Sequence, residues 1–203
     1  MVEPGGCREG GRVLPCHGGR VQRWWPGILR PVSPLRPDLV GCWIFRIAAN
    51  GSLEILLIRR APGRIFPGIW QCVTGGLEGD ELVVDGAFRE LGEETGIAGS
   101  DIEVMYGLDQ VNSFYAEHVD AIQSEAVFAV RVLGTVEPRL SDEHDDARWV
   151  SPADARELVV WPAYRSAIDQ IEWLVAHPQH EPWFRTGRWG IEGSLPPGPA
   201  PSR

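Results

Sequence analysis

Lysine is absent: all 19 basic residues of this 203-residue chain are arginine. That excludes a Schiff-base lysine and the lysine of a phosphate-binding P-loop. No two of the four cysteines (Cys7, Cys16, Cys42 and Cys72) form a Cys-x-x-Cys pair, so a structural zinc site is not indicated. No apolar run approaches the roughly 20 residues of a membrane span. A secretory signal pattern is also missing, which predicts reduced thiols and a cytoplasmic location. Internal repeats are absent. The net charge of −9 argues against a coat for long nucleic acid. A small phosphorylated ligand stays open, because a few arginines or a metal ion can neutralise it locally.

What is present divides the chain into three parts. Residues 1–37 hold six prolines, seven glycines and six arginines without helical or strand periodicity, and read as a flexible leader. The leader is rich in arginine, as transit peptides are. It has no serine before Ser33, and its Gly/Pro content opposes an amphipathic helix, so targeting is not adopted. Residues 181–203 form a similar Pro/Gly-rich tail, in which Trp183, Phe184 and Trp189 are candidates to dock on the domain. Residues 38–180 have the pattern of a mixed α/β domain.

Within that domain, Val40–Ile47 and Leu53–Arg59 read as strands joined by an Asn50-Gly51 turn. Trp70–Thr74 reads as a third strand, Ser124–Leu133 as a fourth, and Arg148–Val150 as a short fifth. Leu82–Thr95 is helical. Ser151 caps a helix that begins at Pro152, and a last helix covers residues 163–176. Cys42 and Cys72 sit in apolar runs and read as small core residues.

The Leu82–Thr95 helix carries the chemistry. Asp80 is its expected N-cap, and Gly96 its left-handed C-cap, followed by apolar Ile97. Val84, Ala87, Phe88, Leu91 and Thr95 fall on one face, and Glu90, Glu93 and Glu94 on another. Each like-charge pair costs about 0.2–0.5 kcal/mol on an exposed helix. No basic residue follows to relieve them, since positions 97 and 98 are Ile and Ala. Such a cluster suits a hard divalent cation, which takes oxygen ligands and bridges carboxylates to phosphates. Taken alone, a Glu-x-x-Glu-Glu pattern is more commonly a solvated acidic face.

The surrounding residues change that balance. Gly75, Glu81, Arg89, Glu90, Leu91, Glu93, Glu94, Gly96 and Ile97 occupy the nine constrained positions of the Nudix hydrolase signature. In that signature a glycine and five residues precede a glutamate. Seven residues then precede Arg-Glu-apolar-any-Glu-Glu-any-Gly-apolar. The chain therefore resembles the Nudix hydrolases, from about Leu39 to Val175. The resemblance implies an α/β/α sandwich with a mixed sheet and a catalytic loop-helix-loop.

It also implies roles. Glu90 and Glu94 correspond to the principal metal ligands, and Glu93 to an additional or water-bridged one. Gly75 opens a loop whose backbone approaches the metal, while Arg89 and Glu81 orient the carboxylates. The implied cofactor is Mg²⁺, with Mn²⁺ as a substitute. Family members recruit a further acid from outside the signature, and Glu143, beside His144, is the candidate metal ligand or general base. Ordinary loop acidity is the alternative for Glu143, given Asp142, Asp145 and Asp146 around it. His144 reads as structural or as support for a ligand.

The Ile69–Gly75 run and Arg59-Arg60 resemble the dATP/dihydroneopterin triphosphate pyrophosphatase branch, which makes Arg59 and Thr74 candidate substrate contacts. A strand end with one exposed charge is the alternative for Arg59-Arg60. The Asp109–Gln123 segment aligns with neither that branch nor the diadenosine tetraphosphate hydrolases, and reads as a loop shaping the substrate pocket. For Trp161, Tyr164 and Arg165, packing or a surface role stands beside stacking on a base.

The implied reaction is attack of water on a nucleoside or pterin triphosphate, with Glu143 or Glu93 taking the proton, giving a monophosphate and pyrophosphate. The alternatives are a dinucleoside polyphosphate hydrolase, a ligand-sensing Nudix domain without catalysis, and an RNA-decapping enzyme. The retained glutamates weigh against the second, and the acidic charge against the third. The expected partner is a small nucleotide-type molecule, with no membrane and no long nucleic acid; a homodimer stays open.

Overall fold

In the computed structural model, residues 35–186 are described, together with a two-residue antiparallel ladder in the leader, β1 (Arg8–Glu9) with β2 (Arg12–Val13). The rest of the expected leader, and the tail beyond Thr186, including Trp189, lie outside the described residues.

A seven-stranded sheet organises the domain. Its path runs β5 (Trp70–Gln71), β4 (Leu53–Arg60), β3 (Leu39–Ile47), β8 (Ala121–Val132), β7 (Ile102–Ala116). β6 (Val73–Gly76) pairs with β3, and β9 (His144–Val150) with β4. β3 runs parallel to β8 and antiparallel to β4 and β6, so the sheet is mixed. β3 and β4 read as continuous apolar runs because both of their faces are covered. Val40, Cys42 and Ile44 pack toward α1 (Val83–Thr95), with Ala87 and Leu91. Trp43 and Phe45 pack the other way, onto α2 (Pro152–Leu158) and α3 (Pro162–Ala176), through Ala155, Tyr164 and Ile168. Three layers result, as the resemblance implied. Cys42 and Cys72 are free thiols in these two cores.

Local signals explain most boundaries. Gly51 takes φ 84° in the β3–β4 turn, where Asn50 Oδ1 accepts from the Ser52 N–H at 2.9 Å. Ser151 caps α2, accepting from the Asp154 N–H at 3.1 Å. Gly96 ends α1 at φ 68°, and its N–H donates to the Gly92 carbonyl at 3.0 Å.

Four expectations need correction. Asp80 does not cap α1; the N-cap is Leu82 without a side-chain bond, and the Asp80 carboxylate is exposed, 3.9 Å from Arg36. Phe88 is exposed rather than part of the buried face, because Gly86 and Ala87 already bring that side of the helix against the sheet. The third strand is two, β5 and β6, separated at Cys72 and paired to different neighbours. Asp109–Gln123 is no loop but the outer part of the β7–β8 hairpin, turning at Glu117–Val119. Its alternation was masked by a register shift between Gly107 and Val111 and by exposed Val111, Phe114, Tyr115 and Ile122.

The start of the tail sits on β7. The Gly107 N–H donates to the Phe184 carbonyl at 2.8 Å, and the Thr186 N–H to the Met105 carbonyl at 2.8 Å. The Tyr106 hydroxyl donates to Glu181 at 2.6 Å.

Candidate functional site

Gly75 and Glu90 meet first. Gly75 pairs with Val40 in the sheet, and α1 crosses directly above it. A Cβ built on Gly75 would lie 1.8 Å from Glu90 Cδ, so the glycine is a cradle for that carboxylate. Glu90 and Glu94 are buried, while Glu93 is exposed.

Arg89 holds the cluster together. Its Nη1 donates to Glu90 Oε1 at 2.7 Å and to Glu93 Oε2 at 3.0 Å. Its Nη2 donates to Glu81 Oε1 at 2.9 Å and to the Gly76 carbonyl at 2.8 Å. Glu81 in turn accepts from the Glu78 N–H at 2.6 Å, so it ties the loop before α1 to Arg89 instead of capping the helix. The hydrogen bonds from Arg89 lead in holding the Glu81 carboxyl below its ordinary range.

Glu94 is placed differently. It is 4% exposed, and its Oε2 has no hydrogen-bond partner among the described residues. Burial, then the nearby Glu90 and Glu143 carboxylates, push its pKa up to about 8. Burial also raises Glu90, against the pull of Arg89. His144 is buried, neither ring nitrogen has a hydrogen-bond partner among the described residues, and Nε2 stands 4.0 Å from Glu94 Oε2. Burial, with Arg60 and Arg64 next, pushes the imidazole down to about 4, so it is neutral near pH 7.

Glu143 arrives from 49 residues beyond Glu94 in the chain. The end of α1 anchors its loop: the Arg139 N–H donates to the Thr95 carbonyl at 2.7 Å and the Ser141 N–H to the Glu94 carbonyl at 3.1 Å. These two bonds satisfy carbonyls that a helix end leaves unpaired. The Glu143 carboxylate is half-exposed and accepts from Arg64 Nη1 at 3.1 Å.

Arg64 was not singled out from the sequence, although it lies in an arginine-rich turn, Arg59–Gly68. It bridges Glu143 and Asp142, the latter at 3.0 Å. Arg60 was named only for its dipeptide. Its Nε is buried without a partner among the described residues, and its charge acts to lower both Glu94 and His144. Arg59 points elsewhere: its Nε donates to Asp145 at 2.7 Å, and its guanidinium lies 5.6 Å from the Trp70 ring centre. Thr74 follows Val73, which faces α1, so its side chain is on the opposite face; its Oγ1 accepts from Gln71 at 3.3 Å. Tyr164 is core, edge-on to Trp43, and Arg165 donates to the Arg156 carbonyl. Trp161 is half-buried against Phe66.

The donor set fits a divalent cation. It is all oxygen, and it includes a buried carboxylate oxygen with no partner among the described residues. Among the described residues, no three such groups already converge at ligand spacing. Arg89 and Arg64 occupy the outer carboxylates instead.

Residues 36–173 match the model of the NUDIX domain. The chain belongs to the Nudix family. An octanoyltransferase of Myxococcus xanthus is 34% identical over 117 residues, 57% of this chain but 31% of that protein, so the chain spans under a third of that relative. The asymmetrical bis(5'-nucleosyl)-tetraphosphatase of Mus musculus is 26% identical over 121 residues, 60% of this chain and 80% of that one. Among solved structures, a NUDIX hydrolase of Listeria monocytogenes superposes with TM-score 0.60 at 26% identity, covering 70% of this chain and 97% of its own. The E. coli dihydroneopterin triphosphate pyrophosphohydrolase superposes with TM-score 0.54 at 23% identity, covering 64% and 92%. Among the described residues, no helix of this Nudix protein is long and apolar enough to cross a membrane.

Proposed function

We propose that this Nudix protein is a divalent-metal-dependent hydrolase that splits a nucleoside or pterin triphosphate into a monophosphate and pyrophosphate. The observation that carries this reading is the desolvated Glu94 carboxylate, whose Oε2 has no partner among the described residues, beside Glu90 on the Gly75 cradle. Leaving a buried carboxylate oxygen without a partner is costly, and a cation relieves that cost. Glu90 and Glu94 would hold Mg²⁺ or Mn²⁺, with Glu93 and Glu143 completing the set. When bound, the ion offsets phosphate charge and lowers the pKa of water.

The chain's own residues do the rest. Arg89 fixes the direction of Glu90 and Glu93 through one guanidinium. Glu143 or Glu93, the two half-exposed or exposed acids, accepts the proton of the attacking water. Arg64 would be free to meet phosphate when it leaves Glu143, and half-buried Arg60 adds positive field beside Glu94. His144 stays neutral and packs against Glu94, which keeps that carboxylate pointing into the site. We also place the protein in the cytoplasm, on its free buried thiols.

A second reading, asymmetric dinucleoside tetraphosphate hydrolysis, is favoured by the mouse tetraphosphatase, most of whose length is matched. A panel of nucleoside triphosphates, dihydroneopterin triphosphate and diadenosine tetraphosphate with Mg²⁺ tests both. Pyrophosphate release from a triphosphate supports the first. Cleavage of the tetraphosphate alone supports the second. Turnover unaffected by chelation would overturn both.

A further inference from the structure

On the sheet face away from α1, polar side chains line up where a core would be expected. Thr74 of β6 pairs with Gly41 of β3, Gly41 with Val127 of β8, and Asn112 of β7 with Glu125 of β8. Glu125 directly precedes the apolar run Ala126–Val130 of β8 and is 5% exposed. Its carboxylate lies over bare Gly41, where an added Cβ would stand 2.8 Å from Oε1.

The carboxylate is positioned but little used. Asn112 Nδ2 donates to Oε2 at 2.6 Å. Gln110 Nε2 fixes the orientation of Asn112 by donating to its Oδ1 at 2.8 Å, and also donates to the Ala163 carbonyl of α3 at 2.8 Å. Among the described residues, Oε1 receives no hydrogen bond from the protein. An ionised carboxylate has about four lone-pair sites, and a purely structural one in a core has them satisfied.

Three aromatic rings belong to the same side. Trp161 is the N-cap of α3 and Tyr164 lies in its first turn, the two rings edge-on at 5.2 Å between centroids, in the core on this face of the sheet. Phe66 is 60% exposed and edge-on to Trp161 at 5.7 Å between centroids. Its φ of 56° is uncommon for a non-glycine residue, and such outliers cluster at active sites and ligand clamps.

We propose that Glu125, held by Asn112 over Gly41, is a specificity-determining residue that accepts from the ring N–H and exocyclic amino group of a 2-amino-4-oxopyrimidine edge, as in guanine and pterin, with Phe66 and Trp161 flanking the ring. This rests on the hydrolase reading, because Thr74 in the same row immediately precedes Gly75 of the catalytic cradle. Two adjacent donors match two carboxylate lone pairs. Adenine presents one amino group beside a ring nitrogen lone pair, which faces the carboxylate unfavourably. A paired contact of this kind discriminates on the order of 10- to 100-fold.

The test is binding of GMP, neopterin and AMP to the full-length chain in EDTA by calorimetry, with GTP and ATP turnover in Mg²⁺ alongside. The wild type is expected to bind GMP or neopterin at least tenfold tighter than AMP, and Glu125→Gln to remove that preference. The first two probes separate a guanine from a pterin ligand. Equal binding of all three, or a preference for AMP, overturns the inference, and needs only the wild type should the variant misfold. Equal binding with intact GTP and ATP turnover defeats this inference and leaves the hydrolase reading standing. A GMP preference without turnover of any triphosphate does the reverse.

Discussion

Replacing Gly75 with alanine separates the geometry of the site from the stability of the fold. The added methyl would fall 1.8 to 2.1 Å from three atoms of the Glu90 carboxylate, whereas ordinary contact begins at 3.4 Å. The carboxylate must therefore retreat by roughly 1.5 Å, which breaks its bond to Arg89. Gly75 is not at positive φ, so alanine adds no backbone strain. Overpacking costs about 1–3 kcal/mol, and because the clash is with the end of a flexible side chain the lower end, about 1 kcal/mol, is expected. For a domain of this size that is a fall in Tm of about 2–4 °C. A misplacement of about 1 Å at a catalytic group lowers rate by roughly 100-fold, or about 2.7 kcal/mol. Melting curves and steady-state kinetics on Gly75→Ala should thus diverge: a small loss of Tm and a large loss of kcat. Near-wild-type kcat would refute the cradle, and a collapse of the fold would refute the claim that only Glu90 moves.

Three other outcomes follow from the site. The pKa of Glu94 is raised in the folded state, so the folded protein binds more protons than the unfolded chain between the ordinary carboxylate range and about pH 8. The metal-free protein should therefore lose stability as pH rises through that window, and Glu94→Gln should flatten the loss in chemical denaturation at pH 5 and pH 8 while abolishing turnover; a metal-free profile that rises with pH would contradict this. EDTA should remove activity, and added Mg²⁺ should restore it and raise Tm at pH 8 more than at pH 5, as differential scanning fluorimetry can report. Arg89→Lys should lower kcat/KM by at least tenfold, because one ammonium cannot hold Glu81, Glu90, Glu93 and the Gly76 carbonyl together; full activity in the lysine variant would mean that charge alone suffices.

The sequence made the helix and its spacing legible because both are local. Gly75, Glu81, Arg89 and Glu90 are joined by bonds within one loop and one helix, so fixed distances along the chain become fixed distances in space. The strands β3, β4 and β8 were legible as apolar runs, whereas their arrangement in a mixed sheet came from the family resemblance. Arg64 was not legible as a partner of Glu143, since 79 residues separate them and only the pairing of β4 with β9 brings them near. The β7–β8 hairpin was hidden because its outer half exposes apolar side chains and breaks register, so the period of two is lost. Asp80 looked like a cap by residue type, but Glu81 and Arg89 already secure that end of the helix.

The two bonds that tie residues 139 and 141 to the end of α1 also set where this chain tolerates change in length. Insertions in the exposed turn at 133–135 leave the fastening untouched. A single residue added between Ser141 and Glu143 would carry the distant acid past its neighbours while the fold survived. Natural or engineered variants should accordingly vary in length before Arg139 and keep the count from Ser141 to His144 constant.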